Sequence, residues 1–216
     1  MKKRCAVIFD CDGVMFDSRR ANINFYNHLL AHFGLPPMTE DKIAFVHMAT
    51  ADESVRSIFE GTPYLEAALT YRMEMDYGPF IRDMEMEPGL RELLGRLKGR
   101  FGLAVATNRS NTIGRVLESN GLEDFFDIVV SSLDVKRPKP HPECLQKILN
   151  HFGIGSRQAL YVGDSAVDQE TARAAGVPFV AYKNRQLDAD HHVNRLLEII
   201  DVADSLYRGD FFTSGS

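Results

Sequence analysis

The chain has 216 residues, 44% of them apolar and 25% charged, with a formal net charge of -5. This is the composition of a soluble globular protein, long enough for one sizeable domain with an insert or for two small ones. The acidic balance argues against a broad nucleic-acid surface, and no run reaches the roughly 20 apolar residues that a membrane span needs.

Cys5, Cys11 and Cys144 are the only cysteines. An odd number without a close C-x-x-C pair speaks against a disulfide framework or a zinc knuckle, and a reducing cytoplasm is expected. Met1-Lys2-Lys3-Arg4 has the basic start of an export signal, but the apolar run Cys5 to Phe9 is too short for one and stops at Asp10.

In chain order, Arg4 to Asp10 predicts a strand, and its continuous apolar core Ala6-Val7-Ile8-Phe9 suits burial on both faces of a parallel sheet. The next 70 or so residues contain no convincing strand. They predict helices over Ser18 to Phe33, Thr39 to His47, Asp52 to Phe59 and Pro63 to about Asp83, punctuated by Gly34-Leu35-Pro36-Pro37 and Gly61-Thr62-Pro63. That is too much for one crossover, so residues 17–87 are expected to form an inserted helical domain.

Alternation resumes after Glu87-Pro88-Gly89. Leu90, Leu93, Leu94 and Leu97 share a helical face; Phe101 to Ala106 is a strand; Ser110 to Asn120 is a helix stopped by Gly121. A strand over Asp127 to Ser131, a helix over Pro142 to Phe152, a strand over Ala159 to Val162 and a helix over Ala166 to Ala175 follow. Val177 to Tyr182 is the fifth strand, and His191 to Ile200 is expected to be the last helix, with His191 and His192 on its solvated face. The pattern predicts an α/β fold: a doubly wound, parallel, five-stranded Rossmann-like sheet built from residues 1–16 and 88–216.

Ligands of open parallel sheets bind beyond the carboxyl ends of the strands. The polar residues collect there: Asp10-Cys11-Asp12-Gly13, Thr107-Asn108, Lys136-Arg137-Pro138-Lys139-Pro140 and Gly163-Asp164-Ser165. Clustered carboxylates are unfavourable without a cation, and hard oxygen ligands with room for water suit Mg²⁺. Singly, each residue has a plain structural reading: Asp164 as a turn former, Thr107 as a strand end, Lys139 as a solvated lysine. Their joint placement is what points to chemistry. Strand alternation turns Cys11 away from the site, as packing.

Asp10-x-Asp12-Gly13-Val14 with Phe16-Asp17-Ser18, then Thr107-Asn108, Lys139-Pro140-x-Pro142 and Gly163-Asp164-Ser165-x-x-Asp168 resemble, in order, the four motifs of the haloacid dehalogenase superfamily. The resemblance runs from Arg4 to about Tyr182. The position of the insert resembles that of the branch containing phosphoglycolate phosphatases and beta-phosphoglucomutases, in which it forms a helical cap.

The resemblance implies a Mg²⁺-dependent phosphatase of a small phosphorylated metabolite, phosphoglycolate-like or a sugar phosphate. Asp10 would be the nucleophile, forming an aspartyl phosphate, and Asp12 the general acid and base. The metal would be held by Asp10, the Asp12 backbone carbonyl and Asp164. Thr107, Asn108 and Lys139, the last favoured over Lys136 by the K-P-x-P register, would bind the phosphoryl group. Asp168 would orient Lys139 or a metal-bound water, or else serve as a helix N-terminal carboxylate.

For substrate choice, His47 and Thr50 in the turn between two insert helices are candidates, with helix-capping roles as the alternative. Arg109 is a candidate for a substrate carboxylate, with a surface arginine as the equal alternative. A phosphomutase is the alternative outcome; a dehalogenase, a phospho-accepting signalling domain and a silent binding protein fit less well. A monomer or homodimer without nucleic-acid or membrane partners is expected.

Overall fold

The computed structural model describes residues 4–208, apart from the Met48 side chain. Residues 1–3 and 209–216 of the expected core lie outside them.

Strand β1 (Ala6–Phe9) is followed by a short β2 (Phe16–Asp17). Five helices come next: α1 (Arg19–His32), α2 (Glu40–Met48), α3 (Ala51–Ile58), α4 (Leu65–Glu74) and α5 (Gly78–Ile81). Strand β3 (Glu85–Met86) returns antiparallel to β2, pairing Phe16 with Met86 and Asp17 with Glu85. Then follow α6 (Leu90–Leu97), β4 (Gly102–Ala106), α7 (Ile113–Ser119), β5 (Ile128–Val130), α8 (Glu143–Phe152), β6 (Ala159–Gly163), α9 (Ala166–Ala175), β7 (Phe179–Tyr182), β8 (His191–Val193) and α10 (Ile199–Arg208).

The main sheet has the order β5-β4-β1-β6-β7-β8, parallel throughout. The alternation of side chains divides the core into two layers. Val7 and Phe9 of β1 face one layer, with the leucines of α6 and the buried residues of α7 and α10. Ala6 and Ile8 face the other, with Cys144, Leu145, Ile148 and Phe152 of α8 and Ala172 of α9. Helices therefore cover both faces, as a doubly wound sheet requires.

Two expectations are corrected. The sheet has six strands, not five, because the predicted helix from His191 to Ile200 begins as β8. Asp190 fixes this: its carboxylate accepts from the Phe179 amide at 2.8 Å, its own amide donates to the Phe179 carbonyl, and the chain is thereby laid along the open edge of β7. The helical spacing of Leu196 and Ile199 belongs to α10 and to the 3₁₀ turn before it. The long helix predicted from Pro63 to about Asp83 is instead two. The Asp76 carboxylate accepts from the Gly78 amide at 3.0 Å, and Pro79 occupies the first turn of α5, so the α4 ladder cannot run through. Among the described residues, no helix is long and apolar enough to cross a membrane.

Candidate active site

The chain enters the sheet at its centre, so β1 lies between β4 and β6. The carboxyl ends of these three strands are neighbours, and they deliver Asp10, Thr107 and Asp164 to one crevice. The Asp10 amide still donates to the Val162 carbonyl at 2.9 Å, which extends the ladder to Asp10. A cavity of about 550 Å³ opens over these strand ends and is closed on its far side by α1, α2 and α4.

Asp10 is buried, and its Oδ1 accepts from the Cys11 amide at 2.7 Å and from Lys139 Nζ at 2.9 Å. All three protons of the Lys139 ammonium have acceptors, the others being Asp168 Oδ1 at 2.7 Å and the Tyr161 hydroxyl at 3.0 Å. The Tyr161 hydroxyl in turn donates to Asp168 Oδ1 at 2.6 Å. Asp168 Oδ2 accepts from the Ser165 hydroxyl at 2.6 Å and from the Ser165 amide, completing a capping box on α9. The two readings of Asp168 therefore both apply: it caps α9 and it holds Lys139. Lys136 is exposed and away from this network.

Asn108 fixes the lysine from its backbone side. Its Oδ1 accepts from the Lys139 amide at 3.0 Å and its Nδ2 donates to the Lys139 carbonyl at 3.1 Å. The Thr107 hydroxyl accepts from the Arg109 amide at 3.0 Å.

Arg109 is placed differently from the expectation of a free carboxylate receptor. Its Nε and Nη2 grip the two oxygens of Asp12 at 2.8 and 2.6 Å, and its Nη1 donates to the Tyr77 hydroxyl at 3.0 Å. The fork is occupied. Of the two insert candidates, His47 lines the cavity. Thr50 does not: its hydroxyl accepts from the Glu53 amide and donates to the Glu53 carboxylate, capping α3.

Electrostatics follow from this wiring. Burial pushes Asp10 well above the ordinary carboxylate range, the charge of Asp168 adds to the effect, and Lys139 opposes it. Burial also pushes Asp164 up to about 7, with Asp168 adding to it and Lys139 opposing. Asp12 lies below its ordinary value because the Arg109 guanidinium outweighs burial. Lys139 is raised because Asp10 and Asp168 outweigh the burial that disfavours its charge.

Carboxylate oxygens of Asp10, Asp164 and Asp168 lie within 4.8 Å of one another. Asp168 has both oxygens bonded to side chains, whereas no ammonium or guanidinium is paired with Asp164 among the described residues. Two carboxylates beside a strand-end backbone, with water for the remaining positions, form a donor set that fits Mg²⁺. Gly13 keeps that space open. Its φ is +79°, and a Cβ there would fall 2.2 Å from Asp164 Oδ2.

Sequence reasoning missed Tyr161, Tyr77 and Arg72. A tyrosine inside an apolar strand needs a partner for its hydroxyl, and that was the available signal for Tyr161. Nothing local marked the other two.

Residues 7–182 match the haloacid dehalogenase-like hydrolase family. The chain is 31% identical over 213 residues to a phosphoglycolate phosphatase of Chromobacterium violaceum, covering 91% of this chain and 95% of the relative. It is 33% identical over 187 residues to one from Rhodospirillum rubrum, covering 81% and 78%. The crystal structure of a subfamily IA hydrolase of the same superfamily from Geobacter sulfurreducens superposes with a TM-score of 0.81 at 45% identity, covering 91% of this chain and 98% of that one. A beta-phosphoglucomutase from Clostridium difficile gives a TM-score of 0.81 at 19% identity, covering 94% and 97%, which is a likeness of fold. The strand-end carboxylates, the buried lysine and the match across most of the chain agree: this chain belongs to the haloacid dehalogenase-like hydrolase family.

Proposed function

We propose that this hydrolase is a Mg²⁺-dependent phosphatase of small phosphorylated metabolites, working through an aspartyl phosphate on Asp10. The observation that carries the reading is the wiring of Asp10. Its Oδ1 is fixed by the Cys11 amide and the Lys139 ammonium, and Asp164 stands beside it with no ion-pair partner among the described residues. The names of the bacterial relatives, phosphoglycolate phosphatases, support the same reaction class.

In the first half-reaction the Asp10 carboxylate attacks phosphorus, an O–P bond forms, and the bond to the leaving oxygen breaks as Asp12 supplies its proton. In the second, water attacks phosphorus, the Asp10–phosphorus bond breaks, and Asp12 takes the water proton, leaving inorganic phosphate. Lys139 balances the charge of Asp10 and of the transferring group, while Thr107 and Asn108 receive phosphoryl oxygens. Asp12 is ionised in the grip of Arg109, so it must leave that fork and take up a proton from water, the one that the second half-reaction returns to it in later turnovers, before it can protonate the leaving group. Asp10, Asp164 and the backbone of Asp12 would hold Mg²⁺, which when bound supplies positive charge to the phosphoryl oxygens. The insert, residues 17–87, acts as a cap that supplies the far wall of the substrate cavity.

The test is Asp10→Asn, assayed with p-nitrophenyl phosphate and a panel of phosphorylated metabolites with and without magnesium. Activity falls by at least about 10³-fold while the circular dichroism spectrum is unchanged. Turnover close to that of the unmodified protein overturns the nucleophile assignment.

A further inference from the structure

The turn after β7 holds a backbone conformation that its residue type disfavours. Lys183 has a φ of +53°, and among the described residues it is the one non-glycine in the left-handed region. It stands where the sheet ends. Its amide still donates to the Val193 carbonyl of β8 at 2.8 Å. The chain then leaves the sheet and passes into Asn184, Gln186 and Leu187, which line the cavity.

The Lys183 side chain is tied to the return of the insert. Its Nζ donates to both oxygens of Glu87, at 2.9 and 2.8 Å, and the Tyr182 hydroxyl donates to Glu87 Oε2 at 2.8 Å. Glu87 is itself buried, and its amide donates to the Met15 carbonyl at 3.0 Å. The lysine is therefore clasped at its tip by a fixed carboxylate and pinned at its amide by β8. A disfavoured backbone persists only where its surroundings over-determine it.

The effect of the turn is visible one residue further on. Asn184 Nδ2 donates to the Asp164 carbonyl at 2.9 Å, and its Oδ1 accepts from the Gln186 amide at 3.1 Å. Both ends of the side-chain amide are used, which fixes its orientation. On its other side Asp164 packs against Gly13, where a Cβ would fall 2.2 Å from Asp164 Oδ2. Asp164 is thus confined twice, through its backbone by Asn184 and at its carboxylate by Gly13. An extended residue at 183 would continue β7 beside β8 instead of turning Asn184 toward the end of β6.

We propose that Asn184 is a positioning residue for Asp164, aimed by the left-handed turn that Glu87 clasps at Lys183. This rests on the magnesium-dependent phosphatase reading, because it is as a metal ligand that Asp164 needs a fixed position.

The experiment measures magnesium binding by calorimetry and stability by urea titration in the same variants. Asn184→Ala weakens magnesium binding by about tenfold, the loss typical when the support of a metal ligand is removed. Lys183→Ala has neither the clasp nor a residue suited to positive φ, and it weakens binding to a similar degree. Lys183→Gly lacks the clasp equally but adopts the turn without strain, and it binds magnesium nearly as well as the unmodified protein. Both variants lose the same charge, and loss of a cation by itself favours a divalent ion. Weaker binding in Lys183→Ala therefore reads the backbone. Unchanged magnesium affinity in Asn184→Ala, whatever its stability, overturns the proposal, as does equal weakening in Lys183→Gly and Lys183→Ala.

Asp164→Asn separates the two levels of inference. Magnesium binding lost in Asp164→Asn but kept in Asn184→Ala removes the positioning role alone. No binding by the unmodified protein, or full binding by Asp164→Asn, removes the magnesium reading and the positioning role with it.

Discussion

Asp164 links the site to the stability of the whole protein through pH. In the unfolded chain an aspartate titrates near 4, so between pH 6 and pH 8 it stays ionised. In the folded, magnesium-free protein burial pushes Asp164 up to about 7. A carboxyl raised on folding contributes most below its unfolded pKa, and the contribution is lost as pH rises through the folded value. Going down from pH 8 to pH 6, the folded state therefore takes up a proton that the unfolded state does not, and stability rises. For a folded pKa of about 7 the change is close to tenfold in the folding equilibrium, about 1.4 kcal/mol, which in a chain of this size is about 3–6 °C in Tm. The assay is thermal unfolding by circular dichroism in a chelating buffer at the two pH values, for the unmodified protein and Asp164→Asn. Subtracting the variant removes the contributions common to both proteins. The variant lacks this increment and is the more stable of the two at pH 8. Saturating magnesium, which binds the ionised carboxylates, raises Tm more at pH 8 than at pH 6. Identical pH dependence in the two proteins refutes the reasoning, because Asp164 would then not change its proton affinity on folding.

Gly13→Ala places a methyl group against the Asp164 carboxylate at a left-handed backbone position. It should cost about 1–2 kcal/mol in a urea titration and weaken calorimetric magnesium binding at least about tenfold; retained metal affinity refutes the role of the close approach. Lys139→Met leaves Asp10 and Asp168 buried without their shared cation, a loss of about 3–5 kcal/mol by the same titration. Adding Asp168→Asn to that variant should recover part of the loss, and strict additivity of the two changes refutes the shared-cation account.

Much of the fold could be read because its strands are short, apolar and regularly punctuated. The alternation from Glu87 to Tyr182 follows directly from leucine spacing and glycine stops. It failed at β8, where a three-residue strand is defined by an edge it pairs with and by the bonds of Asp190, neither of which has a local signature. The long helix read through Pro63 to about Asp83 failed for a local reason, the Asp76–Gly78–Pro79 break. At the site, Asp10, Thr107, Lys139 and Asp164 were legible because strand ends of a parallel sheet converge. What each charge is bonded to was not legible. Arg109 and Asp12 are 97 residues apart in sequence and Lys139 and Asp168 are 29 apart, and only the fold decides that one arginine is spent on Asp12 while another, Arg72, lines the cavity.

The three thiols bear on how this protein can be handled. Cys5, Cys11 and Cys144 are all buried and all titrate above their ordinary value, chiefly because of burial, so each remains protonated near neutral pH. Cys11 sits between two carboxylates of the site and is nonetheless a poor nucleophile, because reactivity belongs to the thiolate. The native chain thus offers a quiet background for maleimide chemistry. A single cysteine introduced on an exposed face of α1 or α4 would take a fluorophore selectively, and any response of the helices over the strand ends to magnesium or substrate could be followed directly.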